Sequence, residues 1–301
     1  MHIGISRPPT PPQGYPDVDG ALVAQYAEQC GFESVFYGEH PIRPVSGPSF
    51  HVHNNGVPHF QDLMVMLARA SALTSTITLG AGAFLIPEHH PIRLARELAS
   101  LDLYSGGRII CGATTGWSRP EIEALGGNYD RRWAQTIESL GIMRRLWTEQ
   151  TVEHSGEFYS FPPMQLYPGP AQPRGPKYLL GARLTDRSVE RIARHADGWL
   201  AVLFTDENIA QAPELAREAR QRLDDAAERI GRDPRELQIT MILRGPQHDG
   251  DLTPRTFPNR DLLRRLEDAG ADRALIALST LRDESDIERV VSAVAESALP
   301  S

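Results

Sequence analysis

The stretch Leu101-Asp-Leu-Tyr-Ser-Gly-Gly-Arg-Ile-Ile-Cys-Gly-Ala-Thr-Thr-Gly-Trp117 decides how the chain is read. Leu94, Leu98 and Leu101 share one face of a helix, which Gly106-Gly107 ends. Arg108-Ile-Ile-Cys-Gly-Ala113 is then a short apolar strand. Beyond it the chain opens into Gly112-Ala-Thr-Thr-Gly116, side chains that fill little space where a buried strand ends.

The same unit recurs on both sides. Further strands are predicted at His2–Ser6, Phe32–Gly38, Thr76–Gly82, Lys177–Gly181, Gly198–Val202, Gln238–Leu243 and Arg273–Leu278. Apolar stripes predict the helices between them. Leu22, Tyr26 and Cys30 line the first, and Leu63–Leu73 form the second. Trp133, Ile137, Leu140 and Trp147 share a face, as do Ala212, Ala216, Ala219, Leu223, Ala226 and Ile230. Thr185–His195, Leu262–Ala269 and a last helix bearing Ile287, Val290, Val291 and Val294 complete the series. Val152–Phe161 reads as a β-hairpin turning at Ser155-Gly156, and Pro162–Pro176 as an extended proline-rich stretch.

Eight strands, each followed by a helix, predict an α/β fold, a (β/α)8 TIM barrel. The hairpin and proline-rich segment, about 149–176, form an insertion between strands four and five of a single domain spanning 1–301. On periodicity alone, a doubly wound open sheet is the alternative.

A chain of 301 residues with 41% hydrophobic and 23% charged residues can bury a sizeable core. Its net charge of -8 argues against a nucleic-acid partner. No run reaches the roughly 18 apolar residues of a membrane span, and no signal peptide is indicated, so a cytoplasmic protein is expected. Cys30 and Cys111 both sit in apolar contexts and read as buried free thiols.

In such a barrel, ligands bind at the carboxyl ends of the strands. Three successive ends avoid bulk: Gly80-Ala-Gly-Ala83, Gly112-Ala-Thr-Thr-Gly116 and Gly181-Ala-Arg183. A wide, flat ligand at the mouth explains this, and so do tight βα turns. His51-Val-His53 is a zinc-type pair, but it sits in a Gly/Pro/Asn-rich loop. Strands five to eight supply no partner ligands for it, so no metal is expected. No G-x-S-x-G or P-loop motif occurs.

The segments "GFESVFYGEH" (31–40), "ITLGAGAFLIPEHHPIRLARELASLDLYSGGRIICGATTGW" (77–117), "LWTEQTVEHSGEFYSF" (146–161) and "RIARHADGWLAV" (191–202) carry a resemblance. Over roughly residues 1–205 the chain resembles the luciferase-like family of flavin- and deazaflavin-dependent oxidoreductases. The resemblance implies a TIM barrel whose mouth holds coenzyme F420 or FMN, with the ring near strands three and four. It is nearest the F420-dependent branch, implying hydride transfer between the deazaflavin and a small organic substrate. The alternative is an FMN-dependent monooxygenase served by a separate reductase, and a non-catalytic flavin-binding barrel is the third reading. A homodimer is also implied.

The resemblance assigns candidate residues. His40 would handle a proton beside the ring. Gly82–Ala83 matches the position where several members carry a non-prolyl cis peptide behind the ring. Thr114 and Thr115 would meet the ring or its polar edge, although members often have glycine at the first position. Gly181, Ala182 and Arg183, before a helix start at Thr185-Asp186, would hold the phosphate. Glu39 is read as capping or pairing, and Trp199 as packing. Trp117 stands where some F420 enzymes carry a carboxylate, and the nearest acids are Glu121 and Glu123, so no carboxylate proton donor is expected at that strand.

Overall fold

The apolar segments become parallel strands, each covered on its outer face by the helix that follows. The computed structural model describes residues 1–6, 18–42, 44, 60–244, 258–278, 281 and 283–300. In chain order the strands are β1 (His2–Ser6), β2 (Ser34–Tyr37), β3 (Thr78–Ala81), β4 (Phe84–Leu85), β5 (Ile109–Thr114), β6 (Val152–Ser155), β7 (Ser160–Met164), β8 (Lys177–Gly181), β9 (Gly198–Leu203), β10 (Gln238–Leu243) and β11 (Arg273–Ala277). The helices are α1 (Gly20–Gln29), α2 (Leu63–Leu73), α3 (Pro91–Ser105), α4 (Arg119–Ala124), α5 (Arg132–Thr148), α6 (Asp186–His195), α7 (Asp206–Ala210), α8 (Ala212–Arg229), α9 (Arg260–Asp268) and α10 (Ser285–Ala298).

Register decides between barrel and open sheet. β11 returns to pair with β1, from His2–Arg273 to Ser6–Ala277. β3 joins β5 through Leu79–Ile109 and Gly80–Ile110. The cylinder β1-β2-β3-β5-β8-β9-β10-β11 therefore closes, and the open-sheet alternative falls. β4 is a short continuation beyond the third barrel strand, pairing Phe84 with Ala113 and Leu85 with Thr114.

The cylinder is packed, not hollow. Phe36, Ile110, Leu179, Leu200, Ile242 and Leu275 form one cluster, one residue from each of six strands. Strand alternation turns these residues inward and their neighbours toward the helices. Two glycines of the opening pattern answer to this packing. A Cβ on Gly80 would stand 2.4 Å from the Phe36 ring, and one on Gly112 would stand 2.0 Å from the Ala81 carbonyl oxygen. Both are small because protein atoms already fill the space beside them, so the reading that a ligand takes up that volume is wrong for these two.

Two helix faces differ from the stripes read in sequence. α1 buries Gly20, Ala21, Val23, Ala24 and Ala27, while Leu22, Tyr26 and Cys30 are only half-buried. Small side chains let α1 lie close to the barrel, and the larger ones move to its flank. α5 buries Gln135, Thr136 and Ser139 beside Leu140 and Trp147. Gln135 Nε2 donates to the Tyr159 hydroxyl at 3.0 Å, so the hairpin gives the polar face a partner. Ile230 lies beyond the end of α8 and is 39% exposed. Of the two cysteines only Cys111 is fully buried.

The insertion sits where expected. β6 and β7 form an antiparallel hairpin, closed by Gly156 N–H donating to Tyr159 O at 2.9 Å. The proline-rich stretch is tied to α3, because the buried Asp102 carboxylate accepts from Gln172 N at 2.8 Å and Gln172 Nε2 at 2.7 Å. Among the described residues no helix is long and apolar enough to cross a membrane.

Candidate functional site

The carboxyl ends of the strands frame a cavity of about 720 Å³. That volume suits a cofactor-sized ligand. His40, Gly82, Ala83, Thr114, Gly181, Ala182 and Arg183 all line it. Thr115 does not: it is buried, and its hydroxyl donates to the Gly116 carbonyl at 3.3 Å. Thr114, the last residue of β5, faces the cavity, and Thr115 just beyond the strand does not.

The peptide bond between Gly82 and Ala83 is cis, at the position the family pattern indicated. It lies between β3 and β4, and both residues face the cavity. A Cβ on Gly82 would stand 3.0 Å from Ile242 Cδ1, and one on Gly181 would stand 3.4 Å from the Ala113 carbonyl oxygen. A side chain at Gly82 would be tight, whereas one at Gly181 would meet its neighbours at ordinary contact distance. The Thr114 hydroxyl donates to the Gly181 carbonyl at 3.4 Å, linking two sides of the wall.

The loop of Gly181, Ala182 and Arg183 is held from beneath. Trp199 Nε1 donates to the Ala182 carbonyl at 2.8 Å, which gives Trp199 a defined task beyond packing. Ser188 Oγ donates to the Arg183 carbonyl at 2.5 Å. Thr185 and Ser188 form a capping box at the start of α6. The backbone of the loop is thus fixed, and Arg183, an exposed residue, lines the cavity beside it.

His40 follows β2 and is mostly buried. Its Nδ1 lies 3.0 Å from both Oε1 and Oε2 of Glu121. The Glu121 side chain is 1% exposed and the His40 side chain 14%. Phe60 and Trp117 meet the imidazole edge-on, with ring centroids at 5.1 and 5.9 Å. Glu121, one of the two nearest acids after Trp117, was given no role in the sequence and proves to be the partner of His40. The carboxylate absent at Trp117 is supplied four positions later, where α4 carries it back toward the second strand end. Its signal is slight: an acid in the first turn of a helix that Pro120 opens, next to the buried Ile122.

Two further carboxyls flank this pair. Glu39 accepts from Leu85 N at 2.8 Å and meets His89 Nε2 at 3.0 Å, the pairing role expected of it. Burial opposes charge on His89, but the Glu39 hydrogen bond and charge outweigh it, so its pKa is raised. Glu88 is different. Both its oxygens are buried without a hydrogen-bond partner. Burial, then the charges of Glu121 and Glu39, push its pKa up to about 9. Among the described residues no group of three or more side chains is suited to a metal ion. His51 and His53 lie outside the described residues.

Residues 19–251 match the luciferase-like monooxygenase family, so the chain belongs to that family. An uncharacterized protein of Mycobacterium tuberculosis is 37% identical over 60% of this chain and 66% of its own length. The F420-dependent hydroxymycolic acid dehydrogenase of the same organism is 32% identical over 71% of this chain and 55% of its own. An FMNH2-dependent dimethylsulfone monooxygenase of Pseudomonas putida is 29% identical over 64% of this chain and 50% of its own. The aligned segment thus spans about half to two thirds of each relative. Among solved structures, monooxygenase RslO1 of Streptomyces bottropensis superimposes with a TM-score of 0.78 at 23% identity, covering 100% of this chain and 99% of that one. Its likeness establishes the barrel fold. The characterised relatives are oxidoreductases and monooxygenases, and both F420- and FMN-dependent enzymes are among them.

Proposed function

We propose that this protein is an F420-dependent oxidoreductase acting on a small organic substrate at the barrel mouth. The observation that carries the reading is the cavity itself, lined by Gly82, Ala83, Thr114 and Arg183. When bound, F420 would supply two-electron hydride transfer. The residues present fit such a group. Gly82, Ala83 and Thr114 offer a close wall for a flat ring, Gly181 and Ala182 leave room beside it, and Arg183 offers charge to a phosphate-bearing tail. Phe60 and Trp117 flank His40 edge-on at the cavity wall.

His40 is the proposed catalytic residue. Oxidation of an alcohol to a carbonyl compound requires removal of the hydroxyl proton, and the reverse reaction requires its return. A cavity-facing imidazole takes or gives that proton. This supports hydride transfer over a cavity that only binds. The F420 dependence of the 32%-identical relative supports the cofactor. The 29%-identical FMNH2-dependent relative favours a second reading, in which FMN would supply oxygen chemistry and a separate reductase would serve it. We further read residues 1–301 as one domain, acting in the cytoplasm and paired as a homodimer.

Separate anaerobic titrations with F420 and FMN, followed by intrinsic fluorescence, test the assignment. Saturable F420 binding at least tenfold tighter than FMN is expected. Preference for FMN would transfer the reading to the monooxygenase, and binding of neither would overturn both.

A further inference from the structure

The mouth of the barrel gathers more titratable groups than a proton-handling histidine needs. Glu39, Glu88 and Glu121 converge with His40 and His89 from β2, the turn after β4, and α4. Their charges are ordered by their partners. Glu39 faces His89 at 3.0 Å, and Glu121 faces His40 at 3.0 Å. Glu88 faces no donor with either oxygen. Three carboxylates crowded against two imidazoles cannot all be ionised cheaply, and the acid without a donor is where a proton costs least. Glu88 therefore carries it, and Glu121 turns both of its oxygens to His40 Nδ1.

We propose that Glu121 is a positioning residue that locks His40 as the tautomer protonated on Nδ1, leaving Nε2 as the proton-accepting atom at the cavity. The geometry is that of an imidazole oriented by a buried carboxylate. An ionised carboxylate only accepts, so the nitrogen it faces must carry the hydrogen. Both carboxylate oxygens lie 3.0 Å from Nδ1, so the ring cannot rotate without losing the contact. Phe60 and Trp117 restrict the same rotation from the ring edges. In the neutral imidazole, Nε2 then holds a lone pair. It accepts a proton from substrate and becomes a donor once charged. The raised pKa of Glu88, pushed to about 9, agrees with this distribution of protons. The catalytic use of Nε2 rests on the function proposed above; the tautomer does not.

The test uses the full chain, labelled with 15N at histidine and free of cofactor. Long-range proton–nitrogen spectra are recorded at mildly alkaline pH, and His40 is assigned from its loss in His40→Gln. The wild type is expected to show His40 with Nδ1 protonated and Nε2 bare. Glu121→Gln presents an amide in place of a pure acceptor, and the populations should shift at least tenfold toward the Nε2-protonated form. Glu123→Gln, at an exposed site on the same helix, should leave the spectrum unchanged. Should Glu121→Gln not fold, the wild-type spectrum alone decides. A wild-type His40 protonated on Nε2 overturns the proposal, as does a Glu121→Gln spectrum matching wild type. A correct tautomer in a protein that binds neither F420 nor FMN would sink the functional reading and leave this one standing.

Discussion

Replacing Glu88 with glutamine should stabilise the protein, and the gain should grow with pH. Both carboxyl oxygens are buried and unpartnered, and burial followed by the charges of Glu121 and Glu39 lifts the pKa from 4.5 to about 9. Below the unfolded-state value both states hold the proton, and the residue adds no pH dependence. Between that value and the folded one, the unfolded chain releases a proton that the folded chain keeps. Stability therefore falls as pH rises through this window and levels off above it. Each pH unit costs about 1.4 kcal/mol, so the penalty reaches about 3 kcal/mol at pH 7 and about 6 kcal/mol at pH 9, both upper bounds because water reaches part of the side chain. Glutamine keeps the shape and leaves a neutral polar group much as the protonated acid does, but it cannot ionise. Urea unfolding of both proteins at several pH values from about 5 to about 8.5 measures the difference. The two stability curves should converge near the acid end and separate steadily above it. Parallel curves would refute the assignment of the proton to Glu88, and a wild type that gains on the variant with rising pH would reverse it.

Glu39→Gln should act in the opposite window. The raised pKa of His89 means that its bond to Glu39 stabilises fully below the ordinary histidine value and fades as pH rises through the folded one. Thermal melts should therefore show a loss of about 1–3 kcal/mol at acid pH that shrinks toward alkaline pH. Gly112→Ala would drive a methyl group to 2.0 Å from the Ala81 carbonyl oxygen, where backbone must move. A cost of about 3 kcal/mol or more, read as a lower Tm, is expected. Arg183→Ala should weaken cofactor binding about tenfold or more, read by titration, through loss of a charged contact to a phosphate. An unchanged affinity would remove Arg183 from the site.

The barrel was legible because its signals are local. Short apolar runs such as Arg108–Ala113, bounded by Gly106-Gly107 and Gly116, mark strands without knowledge of their neighbours. Closure was not local, since it depends on His2 meeting Arg273 at the far end of the chain. Helix faces failed where the inner side is small or polar: α1 turns alanines inward, and α5 buries Gln135 and Ser139 with the hairpin as partner. The small residues at the strand ends proved to be of two kinds. Gly80 and Gly112 yield to Phe36 and to the Ala81 carbonyl, whereas Gly82 and Gly181 border the cavity. A sequence shows that space is needed but not what fills it. The pairing of Glu121 with His40 was hidden for a related reason, because the two lie 81 residues apart and no spacing rule links them.

What enters the cavity at the barrel mouth decides the function of this protein. A crystal structure of the full chain grown with F420 measures this most directly. The ring should lie against Ala83 and Thr114, with its phosphate-bearing tail toward Arg183. A ring bound elsewhere on the protein, or a mouth filled by the chain's own side chains under saturating F420, would contradict it.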